Sequence, residues 1–159
     1  MAQAFNLVAD SVTPNRGSYA YIPNTPHTHN NIFKGNAGAT IQAGDFVKLS
    51  ATSTNTACPV VEACATTDVP YGMVVYDERV NAYGVGDRLA LAQTGDIVYL
   101  IANGAIAVGA KLQMINGTVY VDDTTTENDA YIGVAITKAT AQGDIIQVKL
   151  DFNLGVATA

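Results

Sequence analysis

One short phrase recurs along the chain: "AGDFVKL" at 43–49, "VGDRLAL" at 85–91, "TGDIVYL" at 94–100 and "QGDIIQV" at 142–148. Each is Gly-Asp followed by apolar residues at alternate positions, and "VGAKLQM" at 108–114 is a further copy without the aspartate. Glycine supplies a positive φ that other residues resist, and an aspartate side chain accepts hydrogen bonds from nearby backbone amides. The phrase therefore predicts a turn that launches a strand. Alternation puts Val47, Leu49, Leu89, Leu91, Ile146, Val148 and Leu150 on one face and Lys48, Arg88, Gln147 and Lys149 on the other.

From Ile41 onward no stretch sustains a 3.6-residue apolar period, so helix is expected to be minor. Two Asn-Gly pairs signal hairpins, because a type I′ turn needs positive φ at both central residues. A turn at Asn116-Gly117 pairs Met114 with Val119 and Leu112 with Val121. One at Asn103-Gly104 pairs Ile101 with Ile106 and Tyr99 with Val108. The fold class expected is all-β, a compact antiparallel β-barrel or sandwich-like domain over 39–159 with an extended N-terminal arm over 1–38.

The arm, "TPNRGSYAYIPNTPHTHNNIFKGNAG" in its richest part, carries Pro14, Pro23 and Pro26, which forbid a long helix or a central strand. Its apolar side chains are too many for a spacer, so it is read as lying on something, either a neighbour or the chain's own barrel. Tyr19, Tyr21, Ile22, His27, His29 and Phe33 are its candidate contacts. Strand 97–101 is apolar on both faces, and its second face is either another core layer or a subunit interface. The candidate interface is Ile97, Tyr99, Ile101, Ile106 and Val108.

Only 14% of residues are charged, fewer than on most soluble domains, which suits a protein held permanently against others. Net charge is −6 and the eight basic residues are scattered, so neither nucleic acid nor an anionic membrane is an expected partner. No apolar run or basic leader suggests a membrane span or signal peptide. Cys58 and Cys64 are expected as buried free thiols, since a strand between them holds them roughly 20 Å apart.

No catalytic constellation emerges. His27 and His29 lack further metal ligands nearby in sequence, and the acidic run 122–130 lacks calcium-loop spacing. Asp77 and Glu78 are adjacent, which on a strand sends them to opposite faces. Neither an enzyme activity nor a cofactor is expected.

A larger repeat overlies the small one. "VPYGMVVYDERVNAYGVGDRLALA" (69–92) and "DAYIGVAITKATAQGDIIQVKL" (129–150) share a tyrosine, a Gly-led apolar strand, a loop, Gly-Asp and a closing strand. The second copy resembles the closing signature of tailed-phage capsid cement, or decoration, proteins. "IQAGDFVKLS" is similar to that family's opening strand, and "VYLIANGAIAVGAKL" with "NGTVY" to its middle hairpins. The resemblance spans roughly 40–151 and implies a β-barrel or tulip-like domain on the outer surface of a mature phage head. There it would bridge neighbouring major capsid proteins as a homo-oligomer, a trimer ahead of a dimer, after synthesis in the host cytoplasm. The alternatives are a glycan-binding β module and a carboxylate hydrolase using Asp77, Glu78 or Asp122.

Overall fold

The computed structural model describes residues 14–20, 31–34, 38–54, 58–80, 82–115 and 120–158. The Gly-Asp turns form as the phrase predicts. At 42–45, 84–87, 93–96 and 141–144 the aspartate amide donates to the carbonyl three residues back, at 3.1–3.3 Å. Its carboxylate accepts from that residue's own amide at 2.7–3.1 Å, so each turn is closed twice. Gly44, Gly86, Gly95 and Gly143 all have positive φ. In the copy lacking aspartate, Ala110 closes the turn to the Ala107 carbonyl at 3.2 Å through the backbone alone.

The strands so launched are β1 (Asn31–Phe33), β2 (Thr40–Ile41), β3 (Phe46–Leu49), β4 (Val60–Ala63), β5 (Gly72–Val74), β6 (Tyr83–Gly84), β7 (Arg88–Leu89) and β8 (Leu91–Ala92). They continue as β9 (Ile97–Ala102), β10 (Lys111–Met114), β11 (Tyr120–Asp122), β12 (Tyr131–Ala135) and β13 (Ile145–Leu150). The last five close into a barrel in the order β10-β11-β9-β13-β12. A six-stranded sheet runs β7-β1-β4-β3-β5-β8, and β2 pairs with β6 beside it.

The end strands of that sheet, β7 and β8, are two halves of the single segment 88–92. Its first half pairs with β1 and its second with β5, while the Ala90 carbonyl accepts from Val75. The sheet thus returns on itself as a second, nearly closed barrel. Counting 88–92 as one strand, each barrel has five strands in the same cyclic order, first-third-second-fourth-fifth. In each, the first and third strands are parallel (β1 with β4, β9 with β11), and all other neighbours are antiparallel. The sequence repeat now has its structural meaning, because 69–92 and 129–150 are the closing hairpins of equivalent barrels.

The barrels share a core. Phe46, Met73 and Ala92 of the first pack with Leu100, Ile132 and Val148 of the second. Phe46 meets Phe152 edge-on at 6.2 Å. Phe152 opens a 3-10 turn whose cap, the Asp151 carboxylate, accepts from the Asn153 amide.

Several expectations change. Leu49, expected inside, is 48% exposed where β3 ends. Asn116-Gly117 lies outside the described residues, but the hairpin around it pairs Met114 with Val121 and Gln113 with Asp122. That register is two residues from the expected one, which preserves the faces. The Asn103-Gly104 hairpin is not formed: neither residue has positive φ. The Asn103 side chain instead donates to Asp122 at 2.8 Å and accepts from Gln142 at 3.0 Å. Ile106 pairs with Ala139, while β9 pairs with β13 and β11. No disulfide joins Cys58 and Cys64, as expected, but both are only half-buried.

Candidate interaction surface

The N-terminal stretch expected as one arm is partly built into the fold. Phe33 is 2% exposed in the first barrel's core, because β1 is held between β4 and β7. It is therefore a core residue, not a surface contact. Tyr21, Ile22, His27 and His29 lie outside the described residues.

Residues 14–20 form a staple between the barrels. Gly17 donates its amide to the Tyr99 carbonyl at 2.7 Å and accepts at its own carbonyl from the Tyr76 amide at 3.0 Å. One peptide segment thus ties β9 of the second barrel to the first. Tyr99 in turn donates to Ser18, and Ala20 donates to Ile97, so 17–20 runs as a short strand along β9. Gly17 has φ +79°, and a Cβ there would collide with the Gly44 backbone nitrogen, so no other residue fits. Arg16 lies over the Gly44 turn, donating to the carbonyls of Ala43 and Gly44 and to Asp45 at 2.8–2.9 Å. Tyr19, half-buried, packs against the shared core. Burial, helped by the Asp96 charge, pushes its phenol up to about 12.

On β9, Val98, Leu100 and Ala102 point into the barrel, while Ile97, Tyr99 and Ile101 alternate with them outside and are half-buried. Across the ladder stand Lys149, Gln147 and Ile145, and the Gln147 amide donates to the Tyr99 hydroxyl at 3.4 Å. Ile106, expected with this face, is 2% exposed in the core, because its bridge to Ala139 turns it inward. Val108 stands at the tip of the 107–110 turn and is 65% exposed. The five candidate interface residues are therefore divided: three on the outer face of β9, one at a turn tip, one inside.

Sequence reasoning missed further exposed apolar side chains, among them Val85, Val69, Val156 and Ile136. The tip residues had a readable signal. Val85 and Val108 both precede the turn glycine, where the side chain points away from the strands the turn joins. Arg16 and Gly17 had none, since their partners lie 27 and more residues away.

Two of the carboxylates considered for chemistry, Asp77 and Asp122, are committed to local structure. Asp77 closes a tight turn and accepts three hydrogen bonds from Arg79, which hold its pKa below the usual range. Burial raises the pKa of Asp122, but bonds from Asn103 and Thr124 outweigh it and leave the group low. A cavity of about 200 Å³ between the barrels is lined by Arg16, Asp45, Phe46, Cys64, Met114 and Tyr120, among others. Burial, with a lesser push from Asp68, raises the Cys64 thiol to about 12, so it is protonated and unreactive near neutrality.

What this arrangement offers is contact surface: a closed barrel fused to a nearly closed one, apolar turn tips and an N-terminal staple. Comparison with known proteins gives the same direction. A family model described as structural cement protein (E217 gp24/Pam3 gp6) matches residues 12–151. No curated protein sequence matches the chain. Among solved structures, the crystal structure of the head fiber gp8.5 N base of bacteriophage phi29 is similar in fold, with a TM-score of 0.51 at 15% identity. The match covers 77% of this chain and 92% of that one.

Proposed function

The chain belongs to the family of phage structural cement proteins, a structural component of the virion capsid, and from that premise we propose that it binds the outside of the expanded head and bridges neighbouring major capsid proteins. The observation that carries this reading is the family match across 140 residues, from the staple to the end of the second barrel (12 to 151 inclusive).

The physical features agree with it. Two barrels with a shared core make a rigid body, and exposed turn tips such as Val85 and Val108 offer apolar contacts around it. An acidic chain suits the outside of a DNA-filled shell better than the inside. Binding a site that exists only after expansion stabilises the expanded state by mass action, and many copies add small contacts into a large total. Copies associate with one another as a homo-oligomer, with the outer face of β9 at Ile97, Tyr99 and Ile101 as the proposed contact.

Co-sedimentation with expanded, undecorated capsids of the source phage tests the reading. Saturable pelleting at a fixed ratio to capsid protein is expected, and no pelleting overturns it. Deleting all of 1–38 is unsuitable as the arm variant, because it removes β1 and Phe33 from a core. A chain beginning at Pro14 keeps the staple and every described strand. Weaker pelleting of that chain assigns capsid contact to 1–13, and equal pelleting removes those residues from the reading.

A further inference from the structure

We propose that the turn 107–110, with the end of β12 beside it, docks an extended segment of another protein that carries apolar side chains and a carboxylate. On the cement reading, on which this inference rests for the partner, that protein is the major capsid protein.

The two barrels match bond for bond at this turn. In the first, the Gly44 amide donates to Val74, Val74 to Asp45 and Val75 to Ala90, at 2.7–3.0 Å. In the second, Gly109 donates to Ala135, Ala135 to Ala110 and Ile136 to Gln147, at 2.8–2.9 Å. Val108 therefore stands where Ala43 does, Ile136 where Val75 does and Thr137 where Tyr76 does.

The first turn is covered by an extended segment, the staple. Arg16 donates to the Ala43 and Gly44 carbonyls, and the Tyr76 amide donates to Gly17 at 3.0 Å. Among the described residues nothing does this for the second turn. No described residue bonds the Val108 and Gly109 carbonyls, and the Thr137 amide reaches only the Gln147 carbonyl, at 3.4 Å, which Ile136 already holds. Gly44 is buried, whereas Gly109 is exposed with open space where a Cβ would stand. Val108 is 65% exposed and Ile136 39%. The same backbone surface that one barrel covers with an extended segment thus presents apolar side chains and unused carbonyls on the other.

Charge decides the kind of partner. Asp45 in the first turn receives the Arg16 guanidinium at 2.8 Å, but its place in the second is taken by Ala110. The segments that form this surface, 105–111 and 134–138, hold Lys111 and Lys138 and no carboxylate, on a chain of net charge −6. An incoming carboxylate is repelled by the chain as a whole and attracted here, which fixes the orientation of docking. A second copy is the poorer complement. Its densest run of carboxylates, 122–129, contains no apolar side chain to set against Val108 and Ile136.

Val108→Asp and Ile136→Asp change exposed side chains and should melt close to the parent. In co-sedimentation with expanded capsids each should need at least about tenfold more protein for half-saturation. Val69→Asp, at a residue 50% exposed on the first barrel, is the control and should pellet like the parent. An equal loss there reduces the effect to general repulsion and overturns the proposal, as does unchanged pelleting of Val108→Asp. Lys138→Glu should weaken pelleting and Lys138→Arg should not; no effect of Lys138→Glu overturns the acidic partner. A photoreactive benzoylphenylalanine at position 108 then reads the contact directly. Cross-links to the major capsid protein are expected, and cross-links only to a second copy or within the chain overturn the assignment. A parent that pellets while position 108 gives no capsid cross-link sinks this surface and leaves the cement reading standing. A parent that does not pellet removes that reading, and this surface with it.

Discussion

Two glycines show how differently the same residue type constrains this protein. Gly133 on β12 has ordinary strand φ, but a Cβ there would run into the Lys149 carbonyl of β13. Gly95 has φ +100° with open space around it. Gly133→Ala is expected to cost at least about 1–3 kcal/mol through overpacking, and Gly95→Ala only about 1 kcal/mol through backbone strain. Urea midpoints of the two variants check the order, and equal losses would refute the crowding at Gly133. Arg16→Ala should cost about 1–3 kcal/mol, because it leaves the Asp45 carboxylate with the Gln42 amide but without its guanidinium partner, and removes the bonds to two carbonyls, one of them on the buried Gly44. Arg16→Lys should recover little of it, since an ammonium cannot span three acceptors held in a fork. The turn glycines were legible because their requirement is local. Gly133, Arg16 and Gly17 were not, because what each needs lies on a distant strand. Asn103 misled for the same reason: its bonds to Asp122 and Gln142 outcompete the hairpin its dipeptide signals.

At the scale of elements, two carboxylates held by local hydrogen bonds, Asp144 and Asp122, make the fold sensitive to acid. Backbone and hydroxyl bonds from Thr140 hold Asp144 below the ordinary carboxylate range. Asp122 is also low, the bonds from Asn103 and Thr124 exceeding the effect of burial. A carboxylate with a lower pKa folded than unfolded contributes stability fully above the unfolded value near 4, and that contribution is lost as pH falls through the folded value. Stability should therefore be flat toward neutrality and fall below about pH 4. Asp122→Asn should flatten that fall, as read by thermal melting across pH; an unchanged slope would exclude Asp122 as a contributor. Asp96→Ala should lower stability by about 1–3 kcal/mol, since it leaves the Gln93 amide without its carboxylate. Strand positions and the all-β class were readable from alternation and turns. The parallel pairings of β1 with β4 and β9 with β11 were not, because a parallel contact joins segments that no short turn connects.

For the whole molecule, the staple predicts a sharp difference between two truncations. A chain starting at Pro14 should melt close to the full chain, whereas one starting at Tyr21 loses the Gly17 bridge and leaves the β9 edge bare. The second should melt lower and self-associate, as followed by calorimetry and light scattering; matching melts would deny the staple its role. The repeat of 69–92 in 129–150 was visible in sequence, but that it closes two barrels of one topology was not, because the segment 88–92 serves two neighbours at once. This shared closure has a mechanical consequence. A sheet with a free end can be peeled one hydrogen bond at a time, like a zipper pulled from its tab. In a ring that returns on itself there is no tab, so a pull on any strand is met by the bonds on both its sides together. Two such rings fused through one core yield late and all at once.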